Sequence, residues 1–367
     1  MTAGTISREE IDRRYRLVRE AMAAHHLDAV VVAGSEYTGF EGAVTYMSGF
    51  QIVHRYAYVL LPREGEPAIV FPSEARYVGE HGTSWIEEQV FVDRPGEWLA
   101  DRLAALRIGV YGLDYVFTVR DFEAMHLKVE RIPFDVEFDL ARAVKSDAEI
   151  ESVRESVRIN TEGFWAFLDA FSPGKTAAEV LAPAERLFVA EGCGRLTMNM
   201  VLVGPEFAIA RGDLVLGEFC IPSLEIAGPG GHWVEVSRAI GPPNEEVGRM
   251  LEAYEEYFDA ARLALRPGQT AHDAHRAVSK GFHDRGYRLG HVTGHSIGMT
   301  MIEHPKIGEG IETELRENMV FSMHPHAIAD NGRDCLYMQD TWLVTADGGE
   351  PLAGLPMRLF QAGESPP

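Results

Sequence analysis

The stretch SPGKTAAEV (172–180) decides the predicted fold, because a close copy of it, RPGQTAHDA (266–274), follows 94 residues later. Each copy comes after a long predicted helix and begins a second one, with Thr176 and Thr270 as typical N-cap residues. Each second helix is predicted to end near a glycine and to lead into apolar, strand-like sequence. Two successive units of helix, helix and strand therefore predict a pseudo-symmetric domain.

The region upstream of the repeat alternates between helix and strand. Residues 7–26 carry apolar side chains at helical spacing, and DAVVVAG (28–34) is typical of a short buried strand. The segments YAYVLLP (56–62) and PAIVFP (67–72) flank a charged turn and predict a hairpin. No G-x-G-x-x-G follows the first strand, so the sequence does not predict a dinucleotide-binding domain.

A capping-box pattern marks the start of the second domain. Ser146 is followed three residues later by Glu149, which is typical of the first turn of a long helix. The sequence therefore predicts a smaller α/β domain over residues 1–141 and a second domain over residues 142–367.

The acidic composition of the chain argues against some classes of binding partner. The 367 residues include 56 Asp and Glu against 34 Lys and Arg, and the formal net charge is −22. Such a surface repels nucleic-acid phosphates and anionic lipids, so we expect no nucleic-acid or membrane partner. The chain has no apolar run long enough for a membrane span and no apolar leader at its start. The three widely spaced cysteines predict no disulfide framework, and we expect a cytoplasmic protein.

Five segments follow one another along the second domain: KSDAEI (145–150), GDLVL (212–216), TGHSIG (293–298), NMVFSMHP (318–325) and DTWLVTADG (340–348). Taken in this order, they resemble the pita-bread family, which includes creatinase, aminopeptidase P, prolidase and methionine aminopeptidase. The N-terminal segment YMSGF (46–50) also resembles that of the creatinase-like members. The resemblance implies an α+β chain in which a pita-bread C-terminal domain follows a smaller α/β N-terminal domain.

The resemblance also carries over the positions of the family's metal ligands. The family's metallopeptidases hold two divalent metals with two Asp, one His and two Glu side chains. In this sequence only the His position keeps its residue type, although every position carries a coordinating side chain. The five positions fall at Glu218, Glu235, His295, His324 and Gln339.

The residues at these five positions favour a site with one metal ion or none over a site with two. A bridged pair of divalent ions needs several carboxylates to offset its charge. Glu235, His295 and His324 instead form a two-His-one-carboxylate set that suits one Fe, Zn or Mn ion, with Glu218 as a fourth ligand or a base. The metal-free alternative follows creatinase and uses the same two Glu and two His residues in acid–base catalysis.

Four residues are predicted to bind the substrate: His232, Arg55, His326 and Gln339. His232 stands where the family has a substrate-facing aromatic residue, and His326 shares a strand face with His324, two residues away. His291, four residues before His295, is a further candidate for the pocket wall.

Arg55 is assigned on the resemblance to creatinase-like dimers. In those dimers the N-terminal domain of one subunit caps the pocket of the other with an arginine from this region. Arg55 in HRY (54–56) resembles that residue in its neighbourhood, and a guanidinium suits a substrate carboxylate. The resemblance therefore implies a homodimer.

Three function classes remain open for a small-molecule substrate. The first is a hydrolase that cleaves a C–N bond in a small amino-acid-like or amidino compound. The second is a lyase that acts on a small acid with a single metal, and the third is a non-catalytic binding module. Ordinary Xaa-Pro peptidase activity is a weaker idea, because Ile302 stands where the peptidases have a histidine.

Overall fold

The computed structural model describes residues 6–36, 39–52, 54–76, 84–113, 116–126, 128–193, 197–209 and 212–366. The chain divides into two compact units, one of which is Met1–Arg142 together with Met299–Met301. The other comprises Ala143–Gly298 and Ile302–Pro367, so the division lies one residue from the predicted boundary.

The strands described in the first unit are β1 (Ala29–Ser35), β2 (Tyr56–Pro62), β3 (Ala68–Pro72), β4 (Glu88–Val92), β5 (Arg107–Tyr111) and β6 (Glu130–Pro133). They form one mixed sheet in the order β4-β3-β2-β1-β5-β6. The predicted hairpin is the antiparallel pair β2 and β3. The helices are α1 (Arg8–Ala24), α2 (Gly42–Ser48), α3 (Pro95–Arg102), α4 (Val119–His126) and α5 (Asp135–Ala141), with a 3₁₀ turn at Ser73–Ala75. The Ser7 side chain caps α1, whose apolar face is buried.

The described residues of the second unit form two pairs of helices and three small sheets. The helices are α6 (Asp147–Ala170), α7 (Ala177–Ala190), α8 (Glu245–Ala264) and α9 (Ala271–Asp284). Helix α6 begins with the predicted capping box of Ser146 and Glu149. It is tied to the sheet by the buried Asn160, whose Nδ2 donates to the Leu224 carbonyl at 2.8 Å.

The strands of this unit are β7 (Met200–Val203), β8 (Glu206–Ile209), β9 (Pro222–Ala227), β10 (Trp233–Val236), β11 (Arg288–Leu289), β12 (Gly294–Ser296), β13 (Glu303–Ile307), β14 (Val320–Met323), β15 (His326–Ile328), β16 (Cys335–Tyr337), β17 (Asp340–Thr345) and β18 (Gly348–Pro351). They form sheets in the orders β10-β9-β7-β8, β11-β15-β16 and β13-β12-β14-β17-β18. An antiparallel bridge between Ser237 and Gln339 connects the end of β10 to the residue before β17.

The two copies of the repeat make the same local interactions, which supports the predicted duplication. Thr176 and Thr270 each form a capping box with the acidic residue three positions later. In each copy, the glycine before the cap and the first helical residue donate backbone hydrogen bonds to an extended segment downstream. These bonds are Gly174 N to Leu216 O (2.9 Å) and Ala177 N to Leu214 O (2.7 Å), against Gly268 N to Leu315 O (3.3 Å) and Ala271 N to Thr313 O (2.9 Å).

Among the described residues, no helix has both the length and the apolar character that crossing a bilayer requires.

The matched caps give a prediction about stability. We expect Thr176→Ala and Thr270→Ala each to lower the free energy of unfolding by about 1 kcal/mol, because each removes the acceptor for an otherwise unpaired helix N–H group. Urea denaturation followed by tryptophan fluorescence would measure both. Ser172→Ala, at an exposed position ahead of the same helix as Thr176, is the control and should change little. A loss confined to one of the two threonine variants would contradict the equivalence of the copies.

Candidate active site

Two carboxylates face each other at the centre of the second unit. Strands β9 and β10 are antiparallel, and their register pairs Glu235 directly with Glu225. Both side chains are buried, with 2 % of Glu235 and 6 % of Glu225 exposed. Directly opposed residues have Cβ atoms about 5 Å apart, so the two carboxylates share one small volume.

The placement of Glu218 at the first acidic position is therefore wrong. Glu218 is exposed on the segment before β9, where its carbonyl lies against Gly241. The residue opposite Glu235 is Glu225, which sequence reasoning missed. The physical reason is strand register, because the turn between β9 and β10 is short enough to pair Glu235 with a residue only ten positions earlier.

Two histidines complete a group around Glu235. His295 lies on β12 opposite Ser322 of β14, and His324 directly follows β14. Glu235, His295 and His324 each offer one ligand atom, and these atoms all lie within 4.8 Å of one another. The structure thus brings together the three residues predicted to hold a single metal.

The donor atoms of this group fit one divalent ion. His295 Nδ1 lies 3.0 Å from the Ser296 carbonyl and donates to it, so Nε2 carries the lone pair, 3.6 Å from Glu235 Oε1. His324 Nδ1 is buried and has no hydrogen-bond partner among the described residues. Two neutral imidazoles and one carboxylate are a common ligand set for a divalent transition metal. Burial lowers the pKa of His295 to about 4 and that of His324 well below its usual value, so both are neutral and able to coordinate.

Gln339 lies between the two carboxylates. Its Nε2 donates to Glu235 Oε2 and, at 3.4 Å, to Glu225 Oε1. The Ser322 hydroxyl also donates to Glu235 Oε2, which leaves Oε1 to face His295. The Ser223 hydroxyl lies 2.9 Å from Glu225 Oε1 and 3.1 Å from Gln339 Oε1.

The carboxylate pair holds a proton more tightly than isolated glutamates do. Burial raises the pKa of Glu225 well above its usual value, and the negative charge of Glu235 raises it further. Burial also raises the pKa of Glu235 to about 7, although the hydrogen bonds from Ser322 and Gln339 act in the opposite direction. When the pair carries a single proton, Glu225 is therefore the protonated residue and Glu235 the ionised one.

A second divalent ion does not fit the residues present. It would need oxygen ligands from both carboxylates, but the oxygens that face each other already accept hydrogen bonds from the Gln339 amide. The amide is neutral and His324 is neutral, so the group carries at most two negative charges. That charge suits one divalent ion and not two.

A wall of aromatic and imidazole rings borders the group on one side. His291 lies 4.8 Å from His324 and 5.5 Å from His326, measured between ring centroids. Phe207 and Tyr337, which sequence reasoning missed, contact each other at 4.9 Å and both contact His326. His291 is exposed and Phe207 half-buried, so the wall reaches the surface of this unit. Tyr337 could have been found from the sequence, since it lies two residues before Gln339.

His326 lies in this wall, and one of its ring nitrogens is available there, while its role in substrate binding stays a prediction. The residue is 2 % exposed, and its Nε2 has no hydrogen-bond partner among the described residues. Burial lowers its pKa to about 4, so the ring is neutral. It can therefore offer a ligand a hydrogen bond without a charge.

His232 does not face this group, and its assignment to the substrate site is corrected. Its Nδ1 lies 2.9 Å from Ser152 Oγ, and its Nε2 lies 3.7 Å from Glu149, both on α6. Side chains alternate along a strand, so His232 and Glu235, three positions apart, point to opposite faces of the sheet. His232 lies between the sheet and the helix.

Arg55 lies in the first unit, on the exposed segment that leads into β2. Its backbone is left-handed, with φ of 66°, and its carbonyl accepts a hydrogen bond from Glu36 N at 2.7 Å. Its predicted role in a partner's pocket, and the homodimer itself, stay predictions.

Arg238 holds the strand ends that carry Glu235 and Gln339. Its buried guanidinium has five N–H groups, and all five donate. The acceptors are the carbonyls of Ser237 (2.9 Å), Gln339 (2.7 Å), Leu355 (2.8 Å) and Pro356 (3.1 Å) and the Asp340 carboxylate (2.5 Å). The Arg238 guanidinium, with all of its N–H groups hydrogen-bonded, thus fixes the strand ends that carry Glu235 and Gln339.

Comparison with known proteins identifies the family of both parts of the chain. Residues 151–346 match the model of metallopeptidase family M24, and residues 14–154 match that of the creatinase/prolidase N-terminal domain. An Xaa-Pro dipeptidase of Pyrococcus horikoshii is 24 % identical and aligns over 93 % of this chain and 97 % of its own. A probable dipeptidase PepE of Mycobacterium tuberculosis is 26 % identical over 95 % of this chain and 96 % of its own.

Solved structures show the same fold. The prolidase from Pyrococcus horikoshii OT3 superposes with a TM-score of 0.77 at 21 % identity, over 94 % of this chain and 98 % of its own. The dipeptidase PepE from Mycobacterium ulcerans gives a TM-score of 0.79 at 22 % identity, over 97 % and 99 %. The predicted pita-bread fold with an α/β N-terminal domain is confirmed.

The ligand group gives a prediction about metal affinity. We expect His324→Ala to weaken Mn²⁺ binding by more than the roughly 10- to 100-fold that loss of an outer-shell partner costs, because it removes a direct ligand. His326→Ala, a buried histidine two residues away, is the matched control and should bind Mn²⁺ like the wild type. Isothermal titration of chelator-treated protein would measure both. Equal effects of the two substitutions would contradict the assignment of the ligands.

Proposed function

Since the chain belongs to metallopeptidase family M24, a family of hydrolases, we propose that it hydrolyses a C–N bond in a small amino-acid-like substrate at a centre that holds one divalent ion. The observation that carries the proposal is the convergence of Glu235, His295 and His324, with ligand atoms within 4.8 Å. Fe, Zn and Mn all suit such a set.

A divalent ion held there would supply Lewis acidity toward the group that is attacked. Glu235 is oriented to bind such an ion, because Ser322 and Gln339 both donate to Oε2 and so direct Oε1 toward His295. Such outer partners fix the direction and basicity of a ligand. His295 is oriented in the same way by the Ser296 carbonyl.

Glu225 is the best candidate for the proton donor. Cleavage of a C–N bond requires a proton on the departing nitrogen, and a positioned carboxylic acid can supply it. Burial and the charge of Glu235 raise the pKa of Glu225 well above its usual value, so it holds its proton to a higher pH than an isolated glutamate does. Its Oε1 accepts from Ser223 and Gln339, which leaves Oε2 as the oxygen that carries the proton.

The ring wall supports a small substrate with a neutral or cationic group. Phe207 and Tyr337 offer aromatic surface, and His291 and His326 offer uncharged ring nitrogens. This aromatic surface suits the amino or amidino part of a substrate. A substrate carboxylate would need a cation from outside this group, and Arg55 of a second subunit is our proposal for it.

Two substrate classes are compatible with this proposal: Xaa-Pro dipeptides and other small amino-acid-like compounds. The names of the relatives favour a dipeptide with a C-terminal proline, whereas Ile302, which is half exposed, replaces a histidine that the family's peptidases use. A panel should therefore contain Xaa-Pro dipeptides, other dipeptides, N-acyl amino acids and amidino acids. Liquid chromatography with mass spectrometry would detect the products.

We expect turnover of at least one class by the metal-loaded protein, with one oxygen atom from isotopically labelled water in the product. Glu225→Gln should reduce kcat by roughly 10²- to 10⁴-fold, the usual value of a general acid, while Mn²⁺ binding remains. His283→Ala, an exposed histidine on α9, is the control and should keep full activity.

Products that contain no oxygen from the labelled water would indicate elimination, and the protein would then be a lyase. Absence of turnover across the panel, with substrate binding retained, would favour a non-catalytic binding module. Full activity in Glu225→Gln would remove Glu225 from the mechanism.

A further inference from the structure

We propose that the side-chain amide of Gln339 takes the place of a second cation between Glu225 and Glu235, and that this amide keeps a second divalent ion out of the centre. Exchange of the amide for a carboxylate, in Gln339→Glu, should then create a binding site for one additional divalent ion. The inference concerns the site of the proposed function and rests on it for the first ion only.

The contacts of the amide support this role. Its nitrogen carries two N–H groups, and Nε2 donates to Glu235 Oε2 and to Glu225 Oε1. One donor group thus serves one oxygen of each carboxylate, which is what a bridging cation would do. The amide oxygen faces the Ser223 hydroxyl at 3.1 Å, so the orientation of the group is fixed.

The backbone of Gln339 cannot easily move away from this position. Its N–H and carbonyl pair with Ser237 across an antiparallel bridge, at 3.0 Å in both directions. The carbonyl also accepts from Arg238 Nη1 at 2.7 Å. The residue is 1 % exposed. A glutamate at position 339, which has the same number of heavy atoms, would therefore place its carboxylate where the amide is now.

The substitution changes the charge and the donors of the site together. Glu225, Glu235 and the new carboxylate would meet with no N–H group between them. Three buried carboxylates with no donor between them are strongly unfavourable, and a divalent cation is the group that neutralises them and satisfies their oxygens. The serine hydroxyls of Ser223 and Ser322 would remain as donors at the edges.

The test counts Mn²⁺ ions per chain in four forms of the full-length protein. After chelation and reloading with Mn²⁺, elemental analysis compares the wild type with Gln339→Glu, Gln339→Met and the double variant Glu225→Gln/Gln339→Glu. Gln339→Met keeps the approximate volume and removes the donors without adding charge. The double variant exchanges the amide and carboxylate positions and so keeps the net charge of the wild type.

We expect Gln339→Glu to bind one Mn²⁺ ion more than the wild type, and the other two variants to bind no more than the wild type. Electron paramagnetic resonance should show exchange coupling between two Mn²⁺ ions about 4 Å apart in Gln339→Glu only. Because Gln339→Glu can fold poorly without metal, thermal unfolding is followed as Mn²⁺ is added, and a second stabilising phase absent from the wild type supports the inference.

The inference is overturned if Gln339→Glu and the wild type bind equal numbers of ions, or if the wild type already shows a coupled pair. It is also overturned if Gln339→Met gains an ion, since the additional ion would then not require a carboxylate at position 339. The count in the wild type tests the proposed function separately: a wild type without metal contradicts the one-ion centre, while a gain of one ion in Gln339→Glu would still support the role of Gln339.

Discussion

Two glutamates that face each other across neighbouring strands, away from water, impose the constraint on which the rest of the site depends. Glu225 and Glu235 cannot both be ionised at this separation in a dry interior unless donors or a cation lie between and around them. Gln339 bridges the pair, and Ser223 and Ser322 each serve one carboxylate from outside. The one oxygen that is left to face the histidines, Glu235 Oε1, is the natural ligand for a metal.

The surrounding fold keeps these donors in position. Arg238 uses all five of its N–H groups on carbonyls and on Asp340, and so ties the end of β10 to the start of β17. Removal of one partner from such a buried ion pair typically costs about 3–5 kcal/mol, because an uncompensated charge remains. The duplicated helix pairs contribute in a different way. Their matching caps and backbone bonds place two equivalent halves around the strands, and residues from both halves reach the centre.

The sequence predicted those features that depend on local pattern. Thr176 and Thr270 were recognisable as caps, because capping requires only a side-chain oxygen at the right position. His295, His324 and Gln339 were located through segments that resemble the family. The first acidic position falls at Glu225 and not at Glu218, because the length of a glycine-rich turn does not fix strand register, which depends on long-range pairing. The odd separation of His232 from Glu235 places His232 on the other face of the strand, and this much can be read from the sequence. Phe207 could not be found, because it reaches the ring wall from a separate hairpin.

We propose that this member of the family has one metal position, set by Glu235, His295 and His324, with an amide where a second ion would lie. The most direct test is a crystal structure of the Mn²⁺-loaded protein with anomalous diffraction recorded at the manganese edge. We predict a single anomalous peak bound by Glu235 Oε1 and the two imidazoles, with the Gln339 amide still in contact with Glu225 and Glu235. A second peak between the two carboxylates, or no peak at the histidines, would contradict the account.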